Sequence, residues 1–139
     1  MKPTKSSIVL LIFIVFLTFC NSTIAKELDI DKYEEKCCAE NYSTAGMLKC
    51  TQEAYKMWDK ELNKYYGLLI QKLSIEERKQ LKEAQISWLN YRDKEFKNID
   101  SLNNKLTGTM YINVAAGQKR EVVKQRALQI KEYYDNLTK

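Results

Sequence analysis

The hydrophobic positions of this chain fall into segments with helical spacing, preceded by an apolar run of a different kind. Met47, Cys50 or Thr51, Ala54, Trp58, Leu62, Tyr65, Leu69 and Leu73 recur at steps of three and four. That spacing puts them on one stripe of a helix of about seven turns, roughly 40 Å long. Ser74 ends the stripe, and Ser74 with Glu77 forms an S-x-x-E start signal. In such a capping box the hydroxyl and the carboxylate each satisfy a backbone N–H of the new helix. A start directly after a stop predicts a tight turn, so two long helices are expected to form an antiparallel hairpin.

The third segment carries Leu81, Ala84, Trp88, Phe96, Ile99 and Leu102, fades at Asn103-Asn104 and breaks at Gly108. A fourth helix is expected from Met110 to Leu137, with Val123, Ala127, Ile130, Tyr134 and Leu137 as its stripe. Ala115-Ala116-Gly117 offers it a flat surface for close approach. The β-branched Ile112 and Val114 make extended structure over residues 110–114 the alternative. Upstream, a short helix is predicted near residues 30–40, with Asp29 or Asp31 as its N-cap and a break at Asn41-Tyr42-Ser43. Ser43 or Thr44 starts the long helix. The predicted class is all-α: a long antiparallel hairpin with a short N-terminal helix and a C-terminal helix, stapled by a disulfide.

The initial apolar run reads differently. Lys2 and Lys5 precede twelve uncharged residues, Ile8 to Phe19, and small or polar residues lead to Ala25. This is the layout of a secretory signal peptide, with cleavage after Thr23-Ile24-Ala25. Twelve residues span about 18 Å as a helix, too little for a hydrocarbon core of ~30 Å. Residues 1–25 are therefore expected to be removed, leaving one domain over 26–139 that is periplasmic or secreted. Leu17-Thr18-Phe19-Cys20 resembles a lipobox, although Phe19 stands where a small residue belongs; membrane attachment is expected only if Cys20 is lipidated.

Composition narrows the chemistry. Residues 26–139 hold twenty-one basic and eighteen acidic side chains, a net +3. The charges are interleaved, which argues against nucleic acid as a partner. There is no histidine, so the commonest general base and transition-metal ligand is missing. Adjacent Glu34-Glu35 and Glu76-Glu77 read as solvated helix faces, without the environment that raises a general acid's pKa. No catalytic residue, metal site or cofactor is predicted, and the chain does not read as an enzyme. Cys37, Cys38 and Cys50 remain after cleavage. Cys38 and Cys50 flank the first break and are expected to pair, with Cys37 as the alternative to Cys38. Closing that loop contributes about 3 kcal/mol in the chain-entropy model.

Two arginines fall on otherwise apolar stripes: Arg92 one turn beyond Trp88, and Arg126 beyond Val122 and Val123. A buried guanidinium must be paired. Asp59, Glu61, Asn63, Gln85 and Asp93 are the candidates for one polar network that fixes helix register. Trp58 and Trp88 are assigned to the core, and Tyr33, Tyr42, Tyr55 and Tyr66 to the surface.

Finally, Cys50, Trp58-Asp59-Lys60-Glu61-Leu62-Asn63, Tyr65 or Tyr66, Leu69 and Leu73 are followed by Leu81, Ala84-Gln85, Trp88 and Tyr91-Arg92-Asp93, then by Gly108-Thr109 and Arg126. This order resembles the LprI-like lysozyme-inhibitor domain family over nearly all of residues 37–135; the L-x-x-A-Q-x-x-W-x-x-x-R-D string is its specific part. The resemblance implies an exported, helical, disulfide-bonded bacterial envelope domain that binds a protein partner, with lysozyme as the named target. The alternative is a structural or stress-related envelope protein with no enzyme target. One departure stands out: Phe96 occupies the position of a family cysteine, and no cysteine follows Cys50. Lysozymes are commonly cationic, so an inhibitor benefits from an acidic face. Such a face is expected around Asp29, Asp31, Glu34, Glu35 and Glu40, with Asp31, Glu34 and Glu35 as the partner-binding residues.

Overall fold

A computed structural model describes the backbone of residues 21–139 and the side chains from Asp29 onward. The apolar run and Cys20 lie outside the described residues. Four helices follow one another: α1 (Asn21–Glu40), α2 (Thr44–Lys72), α3 (Ile75–Asn103) and α4 (Met110–Leu137). No strand occurs among the described residues, and residues 110–114 are helical. Helix α1 begins well before residue 30, so Asp29 and Asp31 lie inside it rather than capping it.

The helix boundaries follow from local chemistry. Ser43 caps α2, its Oγ accepting from the Gly46 N–H at 3.0 Å. A Cβ on Gly46 would lie 2.6 Å from the Asn41 carbonyl oxygen, so glycine there lets the α1–α2 turn close. Ser74 and Glu77 form the complete capping box of α3: the Ser74 N–H donates to Glu77 Oε2 at 2.8 Å, and Ser74 Oγ accepts from the Glu77 N–H at 3.4 Å. Gly108, at φ 116°, supplies the backbone conformation that ends the α3–α4 turn.

Contacts between the helices fix their directions. Tyr55 meets Phe96 with ring centroids 6.3 Å apart, so α2 and α3 run antiparallel. Thr44 approaches Thr109 and Tyr65 meets Tyr134, so α2 and α4 run parallel. Asp31 reaches Lys124 and Cys37 bonds Cys50, so α1 is antiparallel to both α2 and α4. The closest packing in the molecule is that of α2 on α4; α3, the second arm of the hairpin, lies farther out.

The core reflects that order. Its centre is Ile30 from α1, Ala54, Trp58, Leu62 and Leu69 from α2, and Val123, Ala127 and Ile130 from α4. The predicted stripes of α2 and α4 are thus the buried faces, although Leu137 is exposed. On α3, Leu81, Trp88 and Phe96 only lean on this core, Ile99 and Asn103 are buried, and Leu102 is exposed. Alanines at two core positions let the axes of α2 and α4 come close, since interaxial distance follows side-chain size. Gly117 does not serve this purpose, because a Cβ there would meet nothing within 4 Å. Tyr55 and Tyr66, expected at the surface, pack against the core.

Candidate functional site

The disulfide joins Cys37, not Cys38, to Cys50, with Cα atoms 5.7 Å apart. Cys37 lies seven residues after the buried Ile30, on the face that α1 turns to the core. Cys38 points about 100° around the helix, as adjacent residues on a 3.6-residue turn must. Its thiol is half-buried and free, donating weakly to the Met47 carbonyl at 3.9 Å. Burial pushes the Cys38 thiol up from its ordinary value; the nearby Glu34 carboxylate adds to this, and a hydrogen bond with Thr51 opposes it. The reactive species is the thiolate, and a raised pKa leaves less of it at neutral pH. Iodoacetamide should therefore modify native Cys38 more slowly than the unfolded protein at pH 8. The native rate should go on rising to higher pH than that of the unfolded protein before it levels off; mass spectrometry of timed samples would show this.

Of the acidic residues of α1, Asp29, Glu35 and Glu40 are exposed, whereas Asp31 and Glu34 are engaged by α4. Asp31 Oδ2 lies 2.5 Å from Lys124 Nζ. Glu34 Oε2 lies 3.1 Å from Arg120 Nε, a distance for an ion pair but out of line for a hydrogen bond. The Arg120 and Glu34 side chains are only 20% and 12% exposed. Both acids therefore face α4 and dock α1 on it; Glu35 alone of the three is exposed. Tyr33 adds a contact to α2 by donating from its hydroxyl to Glu53. Sequence reasoning missed Arg120 and Lys124. Their spacing of four on α4 answers the spacing of three between Asp31 and Glu34 on α1, a signal that appears only once the two helices are known to be neighbours.

The arginines are not joined in the single network expected of them. Arg92 bonds its own neighbour, with Nη2 and Nε donating to Asp93 Oδ1 at 2.7 and 3.0 Å. Its guanidinium lies 5.6 Å from the Trp88 ring centroid and 5.9 Å from that of Phe96. Arg126 donates to Gln85 across the α3–α4 interface at 3.0 Å and to Gln129 at 2.5 Å, and lies 5.8 Å from the Trp88 ring. Trp88 thus has a guanidinium near it from each of two helices. Burial pulls the Arg126 pKa down, while Tyr133 and Tyr66 act the other way. Asn63 donates only within α2, to Asp59, and Glu61 pairs with Lys64 at 3.5 Å. Asp59, Arg92 and Asp93 meet electrostatically at Tyr55: burial raises its hydroxyl pKa, Arg92 opposes this, and Asp59 and Asp93 add to it.

These partners change the expected cost of removing each arginine. Asp93 is 60% exposed, so Arg92→Ala leaves an acid that water can solvate and should cost about 1 kcal/mol or less. Arg126→Ala breaks charge-assisted bonds on a half-buried group and should cost more, about 1–3 kcal/mol. Thermal melts of the two variants give the comparison, and Arg126→Ala should melt lower.

Between α3 and α4, where packing is loose, runs a groove of about 900 Å³. Ile99, Leu102, Leu106, Val122 and Leu128 supply its apolar lining, and Trp88 and Tyr91 add aromatic surface. Its charged residues are Glu95, Glu121, Glu132 and Arg126. Near its Leu106 end, Asn103 closes the contact between the helices, donating to the Ile99 carbonyl and to Gln118 Oε1 at 2.8 Å each. Among the described residues no cluster of three or more possible metal ligands occurs, and no helix is long and apolar enough to cross a membrane.

Fold, staple and groove together define a small disulfide-bonded all-α domain. The family model of the lysozyme inhibitor LprI matches residues 36–130, and the chain belongs to that family. A solved structure of an uncharacterized protein from Burkholderia thailandensis is similar to it, with a TM-score of 0.73 and 28% identity over 79% of this chain. The match covers 55% of that chain, so this protein corresponds to about half of its relative. No curated protein matches.

Proposed function

We propose that this protein is an exported bacterial inhibitor of lysozyme that acts by binding the enzyme. The observation that carries the reading is the match to the lysozyme inhibitor family over residues 36–130, which includes every helix-to-helix turn of the domain. Two features support export to the periplasm or beyond. The first is the charged start followed by twelve apolar residues and Ala25. The second is the Cys37–Cys50 bridge, since disulfides persist in oxidising compartments. The reading assigns the chain no reaction of its own, in keeping with the absence of histidine and with a family named for inhibition.

Association with lysozyme is the first test. Protein purified from the periplasm or medium should give a saturable 1:1 heat signal when titrated into a cationic c-type lysozyme. Absence of heat and of any complex by sedimentation would favour the structural envelope role instead.

A further inference from the structure

We propose that the groove between α3 and α4 is the face that takes the cationic partner, with Glu95 and Glu132 attracting it and Leu102 and Leu106 making the apolar contact. This rests on the lysozyme-binding reading and adds the surface that carries it out.

Two of the α1 acids are less available for that role, because Asp31 and Glu34 are engaged by Lys124 and Arg120. The groove carries the opposite charge balance to the chain as a whole. Three carboxylates line it against one guanidinium, whereas the whole chain is +5. The guanidinium of Arg126 is held by Gln85 and Gln129 beside Trp88. Glu121 is engaged by Arg120 at 2.5 Å and by Gln125. Glu95 and Glu132 have no ion-pair partner among the described residues, so their charge is open to a ligand.

The groove also has what an interface core needs. Leu102 and Leu106 are 53% and 49% exposed, and Tyr91 is 54% exposed. Exposed apolar side chains gathered beside charged ones mark interaction sites more often than bare surface. Aromatic side chains such as Tyr91 and Trp88 are the types enriched where binding energy concentrates. Glu121 and Glu132 are eleven residues apart on α4, about 16 Å along the helix axis, so the groove can follow an extended protein segment. Unpaired carboxylates would repel nucleic acid, anionic lipid and anionic cell-wall polymers. A cationic protein surface is the occupant that this charge favours.

The test uses purified mature protein and a cationic c-type lysozyme, with association followed at low and moderate salt. Glu95→Lys with Glu132→Lys should slow association about tenfold or more at low salt and flatten its salt dependence. Glu35→Lys with Glu40→Lys makes the same change in net charge on α1 and should leave the rate within about twofold. Leu102→Asp alters an exposed position and should speed dissociation without lowering the melting temperature. Equal losses in the groove and α1 charge variants would show that only net charge matters, and would overturn the proposal. Lysozyme binding unchanged in both groove variants would refute the groove while leaving the inhibitor reading intact. No binding by the wild type would remove both. A wild-type dimer dispersed by Leu102→Asp would assign the groove to a second copy of the chain and overturn the proposal.

Discussion

Trp58→Ala is expected to lower stability by about 3–5 kcal/mol, the range for truncating a large buried aromatic. Trp58 is 3% exposed and stands at the centre of the core formed by α1, α2 and α4. Its neighbours Ala54, Ala127, Val123 and Leu62 are small or already packed, so they cannot collapse into the space it leaves. A domain of this size holds only about 5–15 kcal/mol in total, so the variant should be partly unfolded near body temperature. Trp58→Phe provides the comparison. The Trp58 Nε1–H is buried without a hydrogen-bond partner, so phenylalanine forfeits volume but no polar bond. Urea unfolding of both variants should show the alanine far below the phenylalanine; equal losses would contradict the packing account.

Removing the Cys37–Cys50 bridge has the second largest expected effect. Native disulfides of small secreted domains typically contribute about 2–5 kcal/mol. In a protein of residues 26–139, a double Cys37→Ser, Cys50→Ser change keeps the thiol count unambiguous, because Cys38 is then the one cysteine in that span. The loss should fall first on α1. That helix is otherwise held by Ile30 in the core, by the ion pairs to Lys124 and Arg120, and by Tyr33 on Glu53. Hydrogen exchange should therefore speed up most along residues 30–40, and by less across α2 and α4. Cys38 should become rapidly alkylated as its shelter on α2 is lost. Uniform exchange across all four helices would mean that α1 is not a separable unit.

Most of the fold was legible because spacing reports which side of a helix is apolar. The α2 stripe from Cys50 to Leu69 is the buried face, and Ser43, Ser74 with Glu77, and Gly108 mark the turns as their chemistry dictates. Spacing does not report how deeply a stripe is buried. Leu81, Ala84 and Trp88 recur at steps of three and four on α3, much as Ala54, Trp58 and Leu62 recur at steps of four on α2. Yet α3 sits outside the α2–α4 pair and leaves a groove. Adjacent cysteines could not be told apart without knowing which face of α1 turns inward, and Ile30 settles that only once it is seen buried. The partners of two α1 acids were hidden for a similar reason. Asp31 and Glu34 look like a solvated cluster until Lys124 and Arg120, about ninety residues on, are brought against them. Arg92 was expected to join one network with Asp59, Glu61, Asn63, Gln85 and Asp93, and of these its immediate neighbour Asp93 bonds it.

These placements make the domain an α1–α2–α4 core flanked by α3, with the carboxylates and leucines of the α3–α4 groove open while Asp31 and Glu34 of α1 are engaged. Such an arrangement favours binding by a preformed surface, in which little ordering is required on association. The measurement that tests the account most directly is a titration of cationic c-type lysozyme activity on a cell-wall substrate with the purified mature protein, alongside the Glu95→Lys, Glu132→Lys variant. The account predicts that wild type suppresses lysis to a plateau near equimolar addition and that the variant needs about tenfold more to do so. Full lysis in the presence of excess folded wild-type protein would contradict it.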